Sequence, residues 1–166
     1  MLKKIPLYPF FLVIYFVLAL LAANLTEVTL DASVRPLFAA LILAGLFYAL
    51  FRLITCQTHK AALLSAFVLL LFFSYGHVYQ FLKDTPILGF NLGRHTLLAA
   101  LYAVLLVVGL VLLRRARPAA QATGALNLLG ATLLAFSLFQ IIRFETLPSA
   151  APTTETKPSA NSTQTQ

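Results

Sequence analysis

Asp, Glu, Lys and Arg are missing from five long runs of the chain, at residues 5–26, 36–51, 61–82, 95–113 and 118–142. Crossing a hydrocarbon core of about 30 Å takes roughly 20 helical residues. Four of the runs meet that length directly. The second has 16 residues, but Arg35 and Arg52 flank it and can reach both interfaces along their long stems. Within the runs Leu, Ala, Val and Phe follow one another without strict alternation, which excludes the period-2 pattern of a membrane barrel. In lipid such runs satisfy their backbones as helices. The pattern predicts an all-α integral membrane bundle of five transmembrane helices at about 5–25, 34–54, 61–82, 95–114 and 119–142. From Leu147 the chain turns to Pro, Ser, Thr, Ala, Gln and Asn, and residues 147–166 are predicted to be a disordered tail.

Composition strengthens this reading. Apolar residues make up 60% of the 166, charged residues only 10%, and mean hydropathy is +0.90. A small water-soluble domain leaves too much of its surface wet to hide that much hydrocarbon. The single Cys56 excludes disulfide frameworks and thiolate metal sites. The net charge of +7 fits basic loops beside a bilayer and gives no reason to expect a nucleic-acid partner.

The loops suggest an orientation. With the N-terminus inside, Lys3, Lys4, Arg52, Lys60, Arg114, Arg115 and Arg117 are cytoplasmic. Arg35, Lys83, Arg94, Arg143 and Lys157 are then outside, together with Glu27, Asp31, Asp84, Glu145 and Glu155. The Arg114–Arg117 cluster carries most of that assignment, and five spans put the C-terminus outside. Lys3 and Lys4 followed by an apolar run ending Leu21-Ala22-Ala23 also resemble a secretion signal. The run exceeds the usual signal core of about 7–15 residues, so we read it as a retained anchor. The expected location is the cell (inner or plasma) membrane.

Polar groups inside apolar runs are the first places to look for function. Ser74, His77 and Gln80 stand near the end of the third run, with His77 about 9 Å below the outer interface at 1.5 Å per residue. Ser74, His77 and Phe81 fall at helical spacing on one face, and Tyr75 and Tyr79 on a neighbouring strip. Gly76 is expected to admit another helix at that level. Arg35, Arg94, His95, Gln140 and Arg143 lie toward the same outer side, and the arginines would suit anionic lipid headgroups. Against this candidate site stands the plainer reading of an aromatic interface belt and snorkelling anchors. The hydrogen-bond partner expected for His77 is Ser74 or Gln140. Asn127, Gly124 and Gly130 in the fifth run are expected to serve helix packing. The spans hold no carboxylate and no Ser/His/Asp arrangement. Although His77 and His95 could in principle be two axial ligands, His95 lies at the water boundary, so no cofactor and no catalysis are expected of this chain.

Several short stretches resemble one family: Tyr8-Pro9, Arg35-Pro36-Leu37, Lys60-Ala61-Ala62-Leu63 and, most distinctively, Phe73-Ser74-Tyr75-Gly76-His77-Val78-Tyr79. They are similar to the multi-span N-terminal membrane region of bacterial sulfatase-like hydrolases. The likeness covers roughly residues 1–145. It implies a membrane module that anchors, or assembles with, an outer-facing hydrolase of the alkaline-phosphatase type, whose metal ligands and nucleophile would belong to that other domain. A small transporter or lipid-binding protein, with an outer-side cavity around His77, is the alternative that the residues leave open.

Overall fold

The computed structural model describes residues 5–27, 29–83, 95–115 and 120–146. The expected tail, Arg94 and the acidic loop residue Asp84 lie outside the described residues. Five helices follow in order: α1 (Tyr8–Ala23), α2 (Leu30–Thr55), α3 (Thr58–Lys83), α4 (His95–Arg115) and α5 (Ala120–Thr146). There is no strand among the described residues. Four of the helices are long and apolar enough to cross a membrane, with spans at Leu30–Thr55, Thr58–Leu82, His95–Arg115 and Ala122–Phe144. The chain is therefore a membrane-type helical protein. At 16 residues α1 is the short one, about 24 Å of helix.

Helix α1 nevertheless occupies the centre, packing on α2, α3 and α5, while α4 packs on α3. Its first turn has an unusual cap. Leu7 at the N-cap has no side-chain acceptor to offer, and Pro9 brings no N–H. Asn127 of α5 supplies what is missing. Its Oδ1 accepts from the backbone N–H of both Leu7 and Tyr8 at 2.9 Å, and its Nδ2 donates to the Ile5 carbonyl at 2.8 Å. Next in line, the N–H groups of Phe10 and Phe11 donate to the Leu7 carbonyl, so no donor of the turn is orphaned. Below this clamp Gly130 sits against Phe11, where an added Cβ would stand 3.0 Å from the Phe11 Cβ. Asn127 and Gly130 thus do serve helix packing, and they set α1 and α5 parallel.

The core lies between α1, α2 and α3. Val13 and Val17 of α1 meet Ala40 and Ala44 of α2 and Leu69 of α3, all buried. The two alanines are one turn apart, and their small side chains let α2 come close. On the opposite side of α2, Leu30, Val34, Phe38, Ile42, Leu46, Leu50 and Ile54 recur every fourth residue and are all exposed, Ile42 by 71%. That stripe is the surface a bilayer would cover.

Two boundaries differ from the sequence expectation. The second helix begins at Leu30, so Arg35 and Pro36 stand inside α2 instead of opening it. The helix starts from an extended Thr29, carries Asp31 in its first turn where the helix dipole favours an acid, and continues through Pro36. Lacking an N–H, Pro36 leaves the Ala32 carbonyl without its usual partner. At the other end α2 stops at Cys56, which adopts the left-handed conformation (φ 53°) and donates its N–H to the Arg52 carbonyl. Only Gln57 then separates Cys56 from α3, so the hairpin is tighter than the expected loop.

Candidate functional site: a cavity between three helices

The C-terminal end of α1, the N-terminal third of α2 and the C-terminal third of α3 diverge around a cavity of about 920 Å³. Its floor is apolar, formed by Val17, Ala40, Leu43 and Phe73. The walls are Phe16, Leu20 and Leu21 from one side, Pro36 and Ala39 from another, and Phe72 and Gly76 from the third. Four uncharged polar side chains, Asn24, Ser33, His77 and Gln80, stand at the end where the helices terminate. Among the described residues, no Asp, Glu, Lys or Arg lines it.

Small residues open this space. Gly76 was expected to admit a neighbouring helix, but an added Cβ there would meet nothing within 4 Å. It faces the cavity. The close approach on α3 occurs lower down, where a Cβ on Gly109 of α4 would fall inside the Phe67 ring. Ala32, whose carbonyl lacks the i+4 donor that Pro36 removes, and Pro36 itself belong to the same wall.

His77 is exposed to the cavity. Its Nδ1 lies 3.4 Å from the Phe73 carbonyl oxygen, one turn back. A carbonyl can only accept, so Nδ1 carries the proton of this contact, and in the tautomer that fits it Nε2 bears a lone pair. The ring stands 6.5 Å from that of Phe16, which in turn stacks on Phe73 at 5.4 Å. Neither expected partner reaches it. Ser74 instead pairs with the Tyr102 hydroxyl of α4 at 3.2 Å, and also donates to the Leu71 carbonyl. Gln140 is exposed on α5, whose packing partner is α1. The three-residue step from Ser74 to His77 turns the helix by about 60° net, enough to place the two in different grooves.

The other candidates divide between the two sides of α3. His95 joins the seam with α4, where it stacks on Tyr79 at 3.9 Å between ring centres and its Nδ1 lies 3.3 Å from the Tyr75 hydroxyl. Tyr75 meets Tyr102 edge-on at 5.1 Å. His77 and His95 are thus not brought together. Arg35 and Arg143 are exposed and outside the cavity lining, so neither makes the cavity itself an anion site. Gln80 is on the rim with His77.

Sequence reasoning left open an outer-side cavity around His77 but passed over Ser33 as a lining residue, because Ser33, like Asn24, looks like an ordinary helix-end residue. One donor of each is engaged locally, Asn24 Nδ2 on the Leu20 carbonyl at 2.7 Å and Ser33 Oγ on that of Leu30 at 2.6 Å. It also passed over a second polar cluster at the opposite end of α3. There His59 Nδ1 lies 2.9 Å from Oγ1 of the buried Thr123 in α5, and Lys60 Nζ donates to the Arg114 carbonyl at the end of α4. A basic group on the last carbonyls of a helix is a favourable cap. These bonds pin α4 and α5 to α3. Among the described residues no three His, Cys, Asp or Glu side chains gather at one point. No family model, curated protein or solved structure matches the chain.

Proposed function

We propose that this chain is a non-catalytic module of the cell membrane that holds a membrane amphiphile in the cavity between α1, α2 and α3. The observation that carries the reading is the cavity's build, an apolar floor with uncharged polar groups confined to one end. Volumes of this order hold small organic ligands, and apolar walls with a few convergent polar groups are the usual form of such sites. The cavity runs from Val17 to Asn24 along α1 and from Ser33 to Leu43 along α2, about 10–15 Å at 1.5 Å per residue. That is roughly half the hydrocarbon thickness, the depth of one leaflet. Five spans with a cytoplasmic N-terminus would open it to the outer leaflet.

Lipid extraction from the purified full chain, followed by mass spectrometry, tests the reading. Gly76→Leu should grow into the cavity, since a Cβ added there meets nothing within 4 Å. Bound amphiphile is expected to fall severalfold in Gly76→Leu at unchanged folding, and equal retention would overturn the proposal.

The resemblance to sulfatase-like membrane regions supports a second reading, that the module also anchors or assembles with an outer-facing hydrolase. The distinctive stretch at residues 73–79 contributes Phe73, Gly76 and His77 to the cavity and Ser74, Tyr75 and Tyr79 to the α4 seam. The module would then present its amphiphile to that partner. Purification in mild detergent should return a hydrolase at near-stoichiometric amount, and its consistent absence would remove this second reading alone.

A further inference from the structure

We infer that the cavity selects an amphiphile with one hydrocarbon chain and an uncharged hydroxyl-bearing end, such as a long-chain alcohol or a monoacylglycerol, over the corresponding phosphate. The inference rests on the cavity-binding reading and extends it to the ligand's polar end. One leaflet's depth and about 920 Å³ suit one chain better than the headgroup and two chains of a bilayer phospholipid.

The polar end is specified by which hydrogen-bonding capacity the rim has left. Ser33 has its hydroxyl proton on the Leu30 carbonyl, and Asn24 has one of its two amide protons on the Leu20 carbonyl. His77 has its Nδ1 proton on Phe73, so Nε2 offers a lone pair. Asn24 Oδ1 and the Ala32 carbonyl freed by Pro36 are acceptors too. Gln80 can act either way. Acceptors therefore dominate, and a ligand hydroxyl would complete them. A phosphate end brings mainly acceptor oxygens and negative charge to a rim that, among the described residues, has no lining Lys or Arg to neutralise it. An ammonium end would also have to shed its water with no carboxylate in the lining among the described residues.

The full chain in phosphatidylcholine nanodiscs can be photolabelled with a long-chain alcohol carrying a diazirine near the chain end, and the adducts mapped by peptide mass spectrometry. Adducts are expected at the cavity floor and walls, among them Leu20, Ala39 and Leu43, and to disappear in Gly76→Leu. Monoacylglycerol should compete at about tenfold lower concentration than the alkyl phosphate of equal chain length, the factor expected for one lost hydrogen bond to a desolvated group. In the double variant His77→Leu/Gln80→Leu that preference should shrink toward unity while adducts remain. Adducts that avoid the lining, or persist unchanged in Gly76→Leu, would overturn the cavity reading and this inference together. Lining adducts against which the phosphate competes equally well, or a preference that survives the double variant intact, would leave the cavity standing and overturn the headgroup assignment.

Discussion

At the scale of single residues, three side chains differ in what they contribute to the fold. Asn127 satisfies three backbone groups of another helix, so Asn127→Leu leaves two N–H donors and a carbonyl without partners. A loss of roughly 1–3 kcal/mol is expected, the cost of leaving such groups unpaired where water cannot fully replace the bond. Faster hydrogen exchange at the Leu7 and Tyr8 amides, with a lower Tm in detergent, would check it; unchanged exchange would show that another group closes the turn. Cys56 pays for a left-handed backbone that glycine adopts freely. Cys56→Gly should therefore raise stability by up to about 1 kcal/mol, and Cys56→Val should lower it, because a β-branched side chain tolerates that conformation worst. His77 differs from both. Its one hydrogen bond is a long contact within its own helix, so His77→Leu is expected to melt within a few degrees of the parent. Any larger loss of bound amphiphile in that variant would then belong to the cavity and not to folding.

At the scale of helices, glycines of equal sequence appearance have opposite roles. Gly130 lies against a Cβ of Phe11 that cannot swing away, so Gly130→Ala must push α1 and α5 apart by a few tenths of an ångström. Gly76 has open space around it. Replacing a mid-helix glycine by alanine gains up to about 1 kcal/mol of helix propensity. Gly76→Ala is accordingly expected to hold or raise Tm and Gly130→Ala to lower it, as thermal melts of the two variants beside the parent would reveal. A gain for both would mean that the α1–α5 seam is looser than these contacts. The same contrast explains the α2 faces, where Ala40 and Ala44 are the buried contact and the large apolar side chains point outward. In lipid a large apolar residue gains little from burial, whereas a small one permits close backbone packing.

For the molecule as a whole, the contacts at helix ends make an alternating bundle. Asn127 ties the start of α5 to the start of α1, His59 ties the starts of α3 and α5, and Lys60 ties the start of α3 to the end of α4. The C-terminal ends of α1 and α3 and the start of α2 then share the cavity end. The proposed orientation places the exposed Cys56 on the cytoplasmic side. Membrane-impermeant maleimide should leave it unlabelled in intact cells and label it after permeabilisation. Labelling in intact cells would invert the topology and put the cavity in the inner leaflet.

Much of this was legible along the chain, because exclusion of charge from runs of about 20 residues is a property of composition. Helical class and the positions of four long spans within a few residues follow from such local patterns. Even Asn127 and Gly130 could be assigned to packing, since a polar or very small residue in an apolar run seldom faces lipid without reason. What the one-dimensional pattern could not settle was which face meets which neighbour. Ser74 and His77 share a helical strip, yet one bonds to Tyr102 and the other opens onto the cavity. Similarly, Gly76 reads as a contact and proves to be a space. Apolar residues surround every helix of a membrane bundle, so amphipathic periodicity, which marks the buried face of a soluble helix, loses its contrast here. Close packing among three particular helices decided where the void and its uncharged rim would lie, and only the assembled structure contains that information.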